Sequence, residues 1–258
     1  MGYMNKRLMF SAALVMALLS ANAQKRAFTI EDLYRVKGVS SVSLSPDGKT
    51  VCYTASSSDL KNQKSGSDIY IMNADGSHAK ALTEDGKSSS AVWSKDGKSI
   101  FFTNYEKGTA QIFRMDLTTC ETEQVTDYEL GIGSPVISPD ERYIAFTAEV
   151  YPDLGADAKA NKARMEKKEQ GPVQAHIADK LLYRHWTSYN DGRCNHLILF
   201  DTQTKTYKDL TPGNYSLIFV VGGGITYQFS PDSKEICFVS NHDEHQELAP
   251  MPTCGRYL

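Results

Sequence analysis

The side chains that could do chemistry in this sequence do not assemble into a reaction centre. A serine nucleophile of the hydrolase type needs a sharp Gly-x-Ser-x-Gly turn, and none occurs; Gly222-Gly223-Gly224 lacks the serine. There is no phosphate-cradling G-x-x-x-x-G-K-[ST] and no H-E-x-x-H metal helix. His242-Asp243-Glu244-His245 is the densest polar cluster and reads as a solvated loop after a strand rather than a metal site. Asp47, Asp96, Asp140 and Asp232 recur once per repeat, and only Asp140 has a second carboxylate, Glu141, beside it, too few ligands for a calcium cage, so they read as turn formers. No metal and no cofactor is expected. What remains is recognition chemistry: Tyr183, Arg184, His185 and Trp186 put aromatic faces beside a cation, and these four are the candidate substrate-binding residues.

The elements that must carry them are repeats. Four segments share one pattern, opening on Val42-Ser-Leu-Ser-Pro-Asp-Gly-Lys, Val92-Trp-Ser-Lys-Asp-Gly-Lys, Val136-Ile-Ser-Pro-Asp-Glu-Arg and Tyr227-Gln-Phe-Ser-Pro-Asp-Ser-Lys. The serines of the turn, Ser45, Ser94, Ser138 and Ser230, lie 49, 44 and 92 residues apart. The last interval contains 45 residues, 150–194, that match no repeat, so it holds one repeat and one insertion. In each turn Pro pre-sets φ, Asp suits the third position and Gly accepts φ > 0 at the fourth. Glu141 and Ser233 occupy that fourth position in two repeats; either the turn differs there or a non-Gly residue takes a mildly costly conformation. β-branched and aromatic residues flank every turn, as in strands. A second hairpin follows in three repeats, ending at Leu82-Thr83, Val125-Thr126 and Leu210-Thr211. Two hairpins make a four-stranded blade, and a period of 40–50 residues with strand character predicts a β-propeller. The fold class expected is all-β: three four-stranded blades and part of a fourth.

Within the insertion, Ala156–Gln170 is rich in Ala, Lys and Glu, a good helix former, and predicts a solvated surface helix or a mobile loop, broken by Gly171-Pro172. The aromatic segment Asp179–Gly192 follows and could line a mouth or a partner surface. At the N-terminus, Lys6-Arg7, the apolar run Leu8–Leu19 and the small residues to Ala23 form a secretory signal peptide, with cleavage expected near Ala23-Gln24 and a periplasmic or secreted product. The five cysteines include no C-x-x-C pair; they read mostly as small core residues. A net charge of −3 argues against nucleic-acid binding, and no membrane span is expected once the signal is removed.

The Ser-Pro-Asp-Gly-Lys turns, the segment Phe28-Thr-Ile-Glu-Asp-Leu33 and Leu182-Tyr-Arg-His-Trp186 followed by Asp191-Gly192 resemble the propeller half of the prolyl oligopeptidase family (S9) of serine peptidases. The likeness is to its acylaminoacyl-peptidase and dipeptidyl-peptidase 5 type members and extends over residues 27–247. It implies a propeller that caps a C-terminal α/β-hydrolase domain and restricts access to peptides. The triad belongs to that other domain, so the resemblance assigns no catalytic residue here and peptides are the partners it implies. No Glu-Glu pair occurs in the insertion to hold a substrate amine as in the dipeptidyl-peptidase IV branch. Leu248–Leu258 fits no strand and is expected to be an out-of-frame tail on a truncated product. An incomplete ring of blades leaves faces and an edge unpartnered, which predicts aggregation or self-association.

Overall fold

The computed structural model describes residues 26–177, 184–185, 187–189, 191–217, 227–240 and 253–257, and turns each repeat into an antiparallel sheet. Residues 1–23, expected to be a signal peptide, lie outside the described residues. After a short helix α1 (Ile30–Leu33), the first sheet is β1 (Gly38–Leu44), β2 (Thr50–Asp59), β3 (Lys64–Asn73) and β4 (Lys80–Ala81). The second is β5 (Ser88–Trp93), β6 (Ser99–Asn104), β7 (Gln111–Asp116) and β8 (Thr122–Gln124). The third starts with β9 (Gly133–Ile137) and β10 (Tyr143–Val150). The insertion then supplies helix α2 (Ala158–Glu169) and the hairpin β11 (Arg184–His185) and β12 (Ser188–Tyr189). The sheet resumes with β13 (Cys194–Asp201) and β14 (Thr206–Asp209). The fourth holds β15 (Tyr227–Phe229), β16 (Ile236–Ser240) and β17 (Thr253–Tyr257). The insertion therefore interrupts the middle of the third sheet, between strands that pair in unbroken register from Tyr143↔Asp201 to Val150↔Cys194.

β17 corrects the expectation that the tail forms no strand: Thr253–Tyr257 pairs antiparallel with β16, from Ile236↔Tyr257 to Ser240↔Thr253. Sheet pairing is made by backbone groups, so the open edge of β16 can accept an extended segment whose side chains show no strand pattern. The cysteine expectation is also corrected in part. Cys52 is buried, and burial pushes its thiol up to about 12, whereas Cys120 and Cys237 are exposed.

The described chain divides into two compact units. One contains the described residues up to Lys37 with Ser57–Ser65: in it the Asp32 carboxylate accepts the Thr29 N–H at 2.9 Å, and the Ser58 and Ser65 hydroxyls bond at 3.0 Å. The other, Gly38–Ser56 with the described residues from Gly66 onward, contains the repeats.

The four first-hairpin turns are one structure. The serine hydroxyl donates to the aspartate two residues on, at 2.6 Å in Ser45–Asp47, 2.8 Å in Ser94–Asp96, 2.6 Å in Ser138–Asp140 and 2.6 Å in Ser230–Asp232. That hydroxyl also accepts the N–H of the residue five on, Thr50, Ser99, Tyr143 and Glu235, at 2.9 Å each time. The aspartate caps the turn by accepting the N–H of Lys49, Lys98, Arg142 and Lys234. In all four turns the same oxygen, Oδ1, takes both bonds, as a turn former's does. The fourth position has positive φ in all four: Gly48 72°, Gly97 70°, Glu141 63° and Ser233 63°. The turn type is conserved across the repeats of this chain, and the two non-glycines carry the strain.

Each of those two side chains reaches back to the turn before it. Glu141 Oε1 accepts the backbone N–H of Lys95 at 2.5 Å, and Ser233 Oγ accepts that of Asp140 at 3.0 Å. Lys95 stands where the other three turns have Pro46, Pro139 and Pro231. Proline has no N–H, lysine does, and the residue that binds it is one of the two exceptions to glycine. At Gly97 the reverse holds: an added Cβ would come to 3.4 Å from Pro46 Cδ.

The core lies between successive sheets and follows one rule. In the second strand of each sheet, alternate residues face opposite neighbours. Ile100 and Phe102 pack in a cluster with Cys52 and Ile69 of the sheet before. Ile144 and Phe146 pack with Phe101 and Ile112, and Ile236 and Phe238 pack with Ala145 and Leu197. So the residue after each inserting one receives the next sheet. β9 and β15 contribute as well, through Ile137 and Phe229. Trp93 of β5 packs on the first sheet and donates its Nε1–H to Ser43 O at 3.1 Å.

Two outcomes are expected. Ser94→Ala, at a site 1% exposed, strips the acceptor from the Ser99 N–H and the donor from Asp96, and should lower stability by about 1–3 kcal/mol, read from the urea midpoint. Glu141→Ala keeps the positive φ and loses the bond to Lys95, so it should cost about 1 kcal/mol more than Glu141→Gly, which also relieves the backbone. In a Lys95→Pro background, which has no N–H to leave unanswered, both substitutions should cost less relative to Glu141, while the difference between them stays the same.

Candidate functional site

The insertion leaves the third sheet at Val150 and returns at Cys194, which places it at the end of the sheets opposite the Ser-x-Asp turns. Helix α2 begins where predicted from composition, one to two residues inside the expected limits, with Asp157 as N-cap accepting the Ala160 N–H at 3.0 Å. Its anchor is Asn161, fully buried in an otherwise polar helix. Asn161 Oδ1 accepts the Tyr151 N–H at 2.7 Å, and its Nδ2 donates to Gly155 O and Asp157 O at 3.0 and 2.8 Å. Three bonds from one amide pin the helix onto the strand it leaves, so burial of this polar group is compensated. Arg164 lies over the Tyr151 ring at 4.7 Å and pairs with Asp153 at 2.7 Å.

Of the four residues predicted to bind substrate, Tyr183 and Trp186 lie outside the described residues. Arg184 and His185 form β11 and pair with Tyr189 and Ser188. The Tyr189 ring stacks on His176 at 3.8 Å between centroids. The cluster His242–His245 also lies outside the described residues, and among the described residues no group of three metal-ligating side chains converges.

At the same end of the sheets a cleft of about 410 Å³ opens. Its walls come from the β6–β7 turn at Tyr105, the approach to β9 at Leu130–Gly133, the end of β10 at Thr147–Glu149, Met165 of α2, and Arg193 and Asn195 at the start of β13. Arg193 is its organising charge. Its Nε meets the two Asp191 oxygens at 3.0 and 2.9 Å, and its Nη1 meets Glu149 Oε2 at 3.0 Å. The half-buried guanidinium thereby ties the returning insertion to the end of β10. With two carboxylates on one cation the cluster is net negative, beside the apolar side chains of Leu130, Ile132 and Met165. Among the described residues that line it, none is a nucleophile paired with a base. Neither Arg193 nor Glu149 was singled out in the sequence. The available signal was the Asp191-Gly192 turn, with Gly192 at φ 90°, which forces the chain back onto the sheet just before Arg193.

One residue beyond Asn195, His196 is fully buried. Its Nδ1 lies 2.7 Å from Asp209 Oδ2 and its Nε2 2.9 Å from Gly213 O. Both partners are acceptors only, so both ring nitrogens must donate and the ring is an imidazolium. Burial alone would lower its pKa; the Asp209 carboxylate and then the Cys194 and Gly213 contacts outweigh it and raise the ring to about 9. Asp68 and Gln111 hold the same position in the first two sheets. Asp68 accepts the Gly86 N–H at 3.0 Å, and Gln111 donates to Tyr128 O at 2.7 Å while accepting the Tyr128 N–H at 3.1 Å. In all three sheets the threonine two residues past the fourth strand, Thr83, Thr126 or Thr211, accepts the N–H of the residue after this position, Ile69, Ile112 or Leu197, at 2.9 Å. His196 is thus a structural clamp in a repeated place, not a catalytic base.

Because the folded pKa of His196 stands above its unfolded value of 6.5, its contribution is fully present below about pH 6.5 and is lost as pH rises through about 9. Wild type should therefore lose up to about 3 kcal/mol relative to His196→Gln between those limits, measured by urea titration at a series of pH values.

Residues 20–170, more than half of the chain, match the TolB β-propeller domain (PD40). The dipeptidyl-peptidase 5 of Porphyromonas gingivalis is 29% identical over 207 residues, which is 78% of this chain and 29% of that protein. The dipeptidyl-peptidase 5 of Porphyromonas endodontalis is 28% identical over 168 residues, 65% of this chain and 23% of the relative. The chain thus spans less than a third of the length of these curated relatives. The acylaminoacyl peptidase of Pyrococcus horikoshii shares the fold over 83% of this chain and 29% of its own, with a TM-score of 0.57 at 17% identity. These similarities agree with the resemblance to the N-terminal propeller portion of S9 peptidases. On the domain match and the repeated four-stranded sheets together, the chain belongs to the TolB β-propeller domain family.

Proposed function

We propose that this chain is the N-terminal propeller segment of an exported serine exopeptidase of the dipeptidyl-peptidase or acylaminoacyl-peptidase type. In this reading it forms three four-stranded blades and part of a fourth, and caps and gates an α/β-hydrolase domain that carries the triad. The chain by itself does not cleave peptides. The observation that carries the reading is the 207-residue similarity to dipeptidyl-peptidase 5. The cleft and the insertion, at one end of the sheets, supply a recognition surface for peptides, and Tyr183, Arg184, His185 and Trp186 sit in the segment that would line it. Export rests on the signal-like residues 1–23.

The test is a chimera in which residues 24–247 replace the matching part of the Porphyromonas gingivalis enzyme, assayed on dipeptidyl and N-acyl-aminoacyl chromogenic amides and on a folded protein. Hydrolysis of the small amides, resistance of the folded protein and no hydrolysis by the chain alone are expected. A folded but inactive chimera, a chimera that degrades the folded protein, or cleavage by the chain alone would overturn the proposal. The TolB-domain match favours a second reading, a periplasmic protein-binding module, which predicts that the folded chain retains a specific envelope protein in a pull-down.

A further inference from the structure

The wall of the cleft between the second and third sheets holds two polar atoms that the protein leaves unanswered. Asn195 Oδ1 and the Tyr151 hydroxyl are both buried, and among the described residues neither finds a hydrogen-bond partner. Both belong to one face. Asn195 pairs with Glu149, so their side chains share a side of the β10–β13 pair, and alternation brings Tyr151 and Arg193 to that same side. Glu149, Arg193 and Asn195 line the cleft there. The Asn195 backbone is fixed: its N–H donates to Ser216 Oγ at 3.0 Å, and its carbonyl accepts the Leu217 N–H at 2.7 Å. Tyr151 is 6% exposed, and the Arg164 guanidinium lies over its ring. Burial, and after it the Asp191 charge, raise the pKa of its hydroxyl against the opposing pull of Arg193 and Arg164, so it stays a protonated donor. A buried polar group without a partner is costly, and such groups are scarce in folded proteins. Two on one face, at the wall of a cleft, point to a ligand that completes them.

The chemistry of that ligand follows from what is missing. Asn195 Oδ1 needs an N–H and the Tyr151 hydroxyl needs an acceptor, and a secondary amide offers both. An ammonium group fits less well: Arg193 already engages the carboxylates of Glu149 and Asp191, and it is the neutral groups that stand unanswered. A carboxylate is opposed by the net negative charge of the same cluster. Leu130, Ile132 and Met165 add an apolar wall, and about 410 Å³ is the size of sites that take small organic ligands.

We propose, on the reading that this cleft recognises peptides, that it takes an uncharged amide unit beside an aliphatic side chain, the N–H on Asn195 Oδ1 and the carbonyl on the Tyr151 hydroxyl. Neither oxygen meets solvent as the side chains stand, so the ligand enters by moving a lining side chain. Met165 is suited to give way, being unbranched, with its sulfur 3.9 Å from Arg193 Nη1. The determinant is the amide, and a free amine adds nothing to it.

Titration of the purified full chain, followed by two-dimensional amide NMR, reads this directly. N-acetyl-leucine methylamide at millimolar concentration should shift the backbone amides of Leu130–Gly133 and Thr147–Glu149. Of its two analogues with one N–H replaced by oxygen, at least one should bind about three- to tenfold more weakly. Leucine methylamide, whose amine is free, should bind no more tightly than the acetylated probe. Tyr151→Phe should weaken binding by about three- to tenfold while its urea midpoint stays level or rises, because it removes a hydroxyl that is unanswered in the free protein. Asn195→Ala should weaken binding to a similar degree with an unchanged far-UV circular dichroism spectrum, and Tyr151→Phe carries the test if that variant misfolds. No shift at those amides, equal binding of both oxygen analogues, tighter binding of the free amine, unaltered binding by Tyr151→Phe or by a folded Asn195→Ala, or a lowered urea midpoint for Tyr151→Phe would each overturn the proposal. The chimera is read separately: an active chimera without amide binding defeats this inference alone, and an inactive one with amide binding defeats the peptidase reading and leaves the amide site.

Discussion

Strand alternation used on both faces is the constraint on which the rest depends. A sheet that buries only one side can keep polar residues on the other; here every inner sheet must be apolar on both, with one face fitted to the sheet before and the other to the sheet after. Ile144 and Phe146 face one way, and Ala145 faces the other. A slip of one residue in the register of β10 would exchange those sets and break two interfaces at once. The turns at the start of each second strand fix that register. Their serine hydroxyl bonds the backbone five residues on, so the first residues of the strand are set by a local contact that does not depend on the neighbouring sheets.

Much of this was legible in the residues. Ser-Pro-Asp-Gly names the turn, its spacing names the repeat, and the hydrophobic alternation names the strands. The insertion was found as the stretch that fits neither, and its helix from Ala, Lys and Glu. What was not legible depends on contacts far apart in sequence. Glu141 and Ser233 look like lapses from glycine until Lys95 and Asp140 of the preceding turn are seen beside them. His196 looks like the first residue of a strand; that its ring is charged follows only from Asp209 and Gly213. Arg193 carries no motif at all, and its role exists only because the insertion returns beside Glu149. β17 escaped because backbone pairing at an edge leaves no mark in side-chain pattern.

The repeated clamp shows how one position can change chemistry without changing task. Asp68 ties the loop after its sheet by accepting one N–H, Gln111 by donating and accepting, and His196 by donating twice. The position needs a polar group, half-buried at Asp68 and buried at Gln111 and His196, long enough to reach the following loop, and the loop decides which kind. Of the three, the histidine is the one that does so as a cation. The third sheet, which also bears the insertion and borders the cleft, is the one so equipped.

The contact between Glu141 and the Lys95 amide bears on how such an array can be altered. The lysine is a flaw only if its N–H goes unanswered, and the glutamate is a flaw only if it answers nothing; side by side they cancel. A module copied, deleted or transplanted on its own would separate the two and expose both faults at the new seam. Segments of this array are therefore exchangeable only in blocks that keep such neighbours together, whereas turns in which proline faces glycine, as at Pro46 and Gly97, carry no such tie of their own.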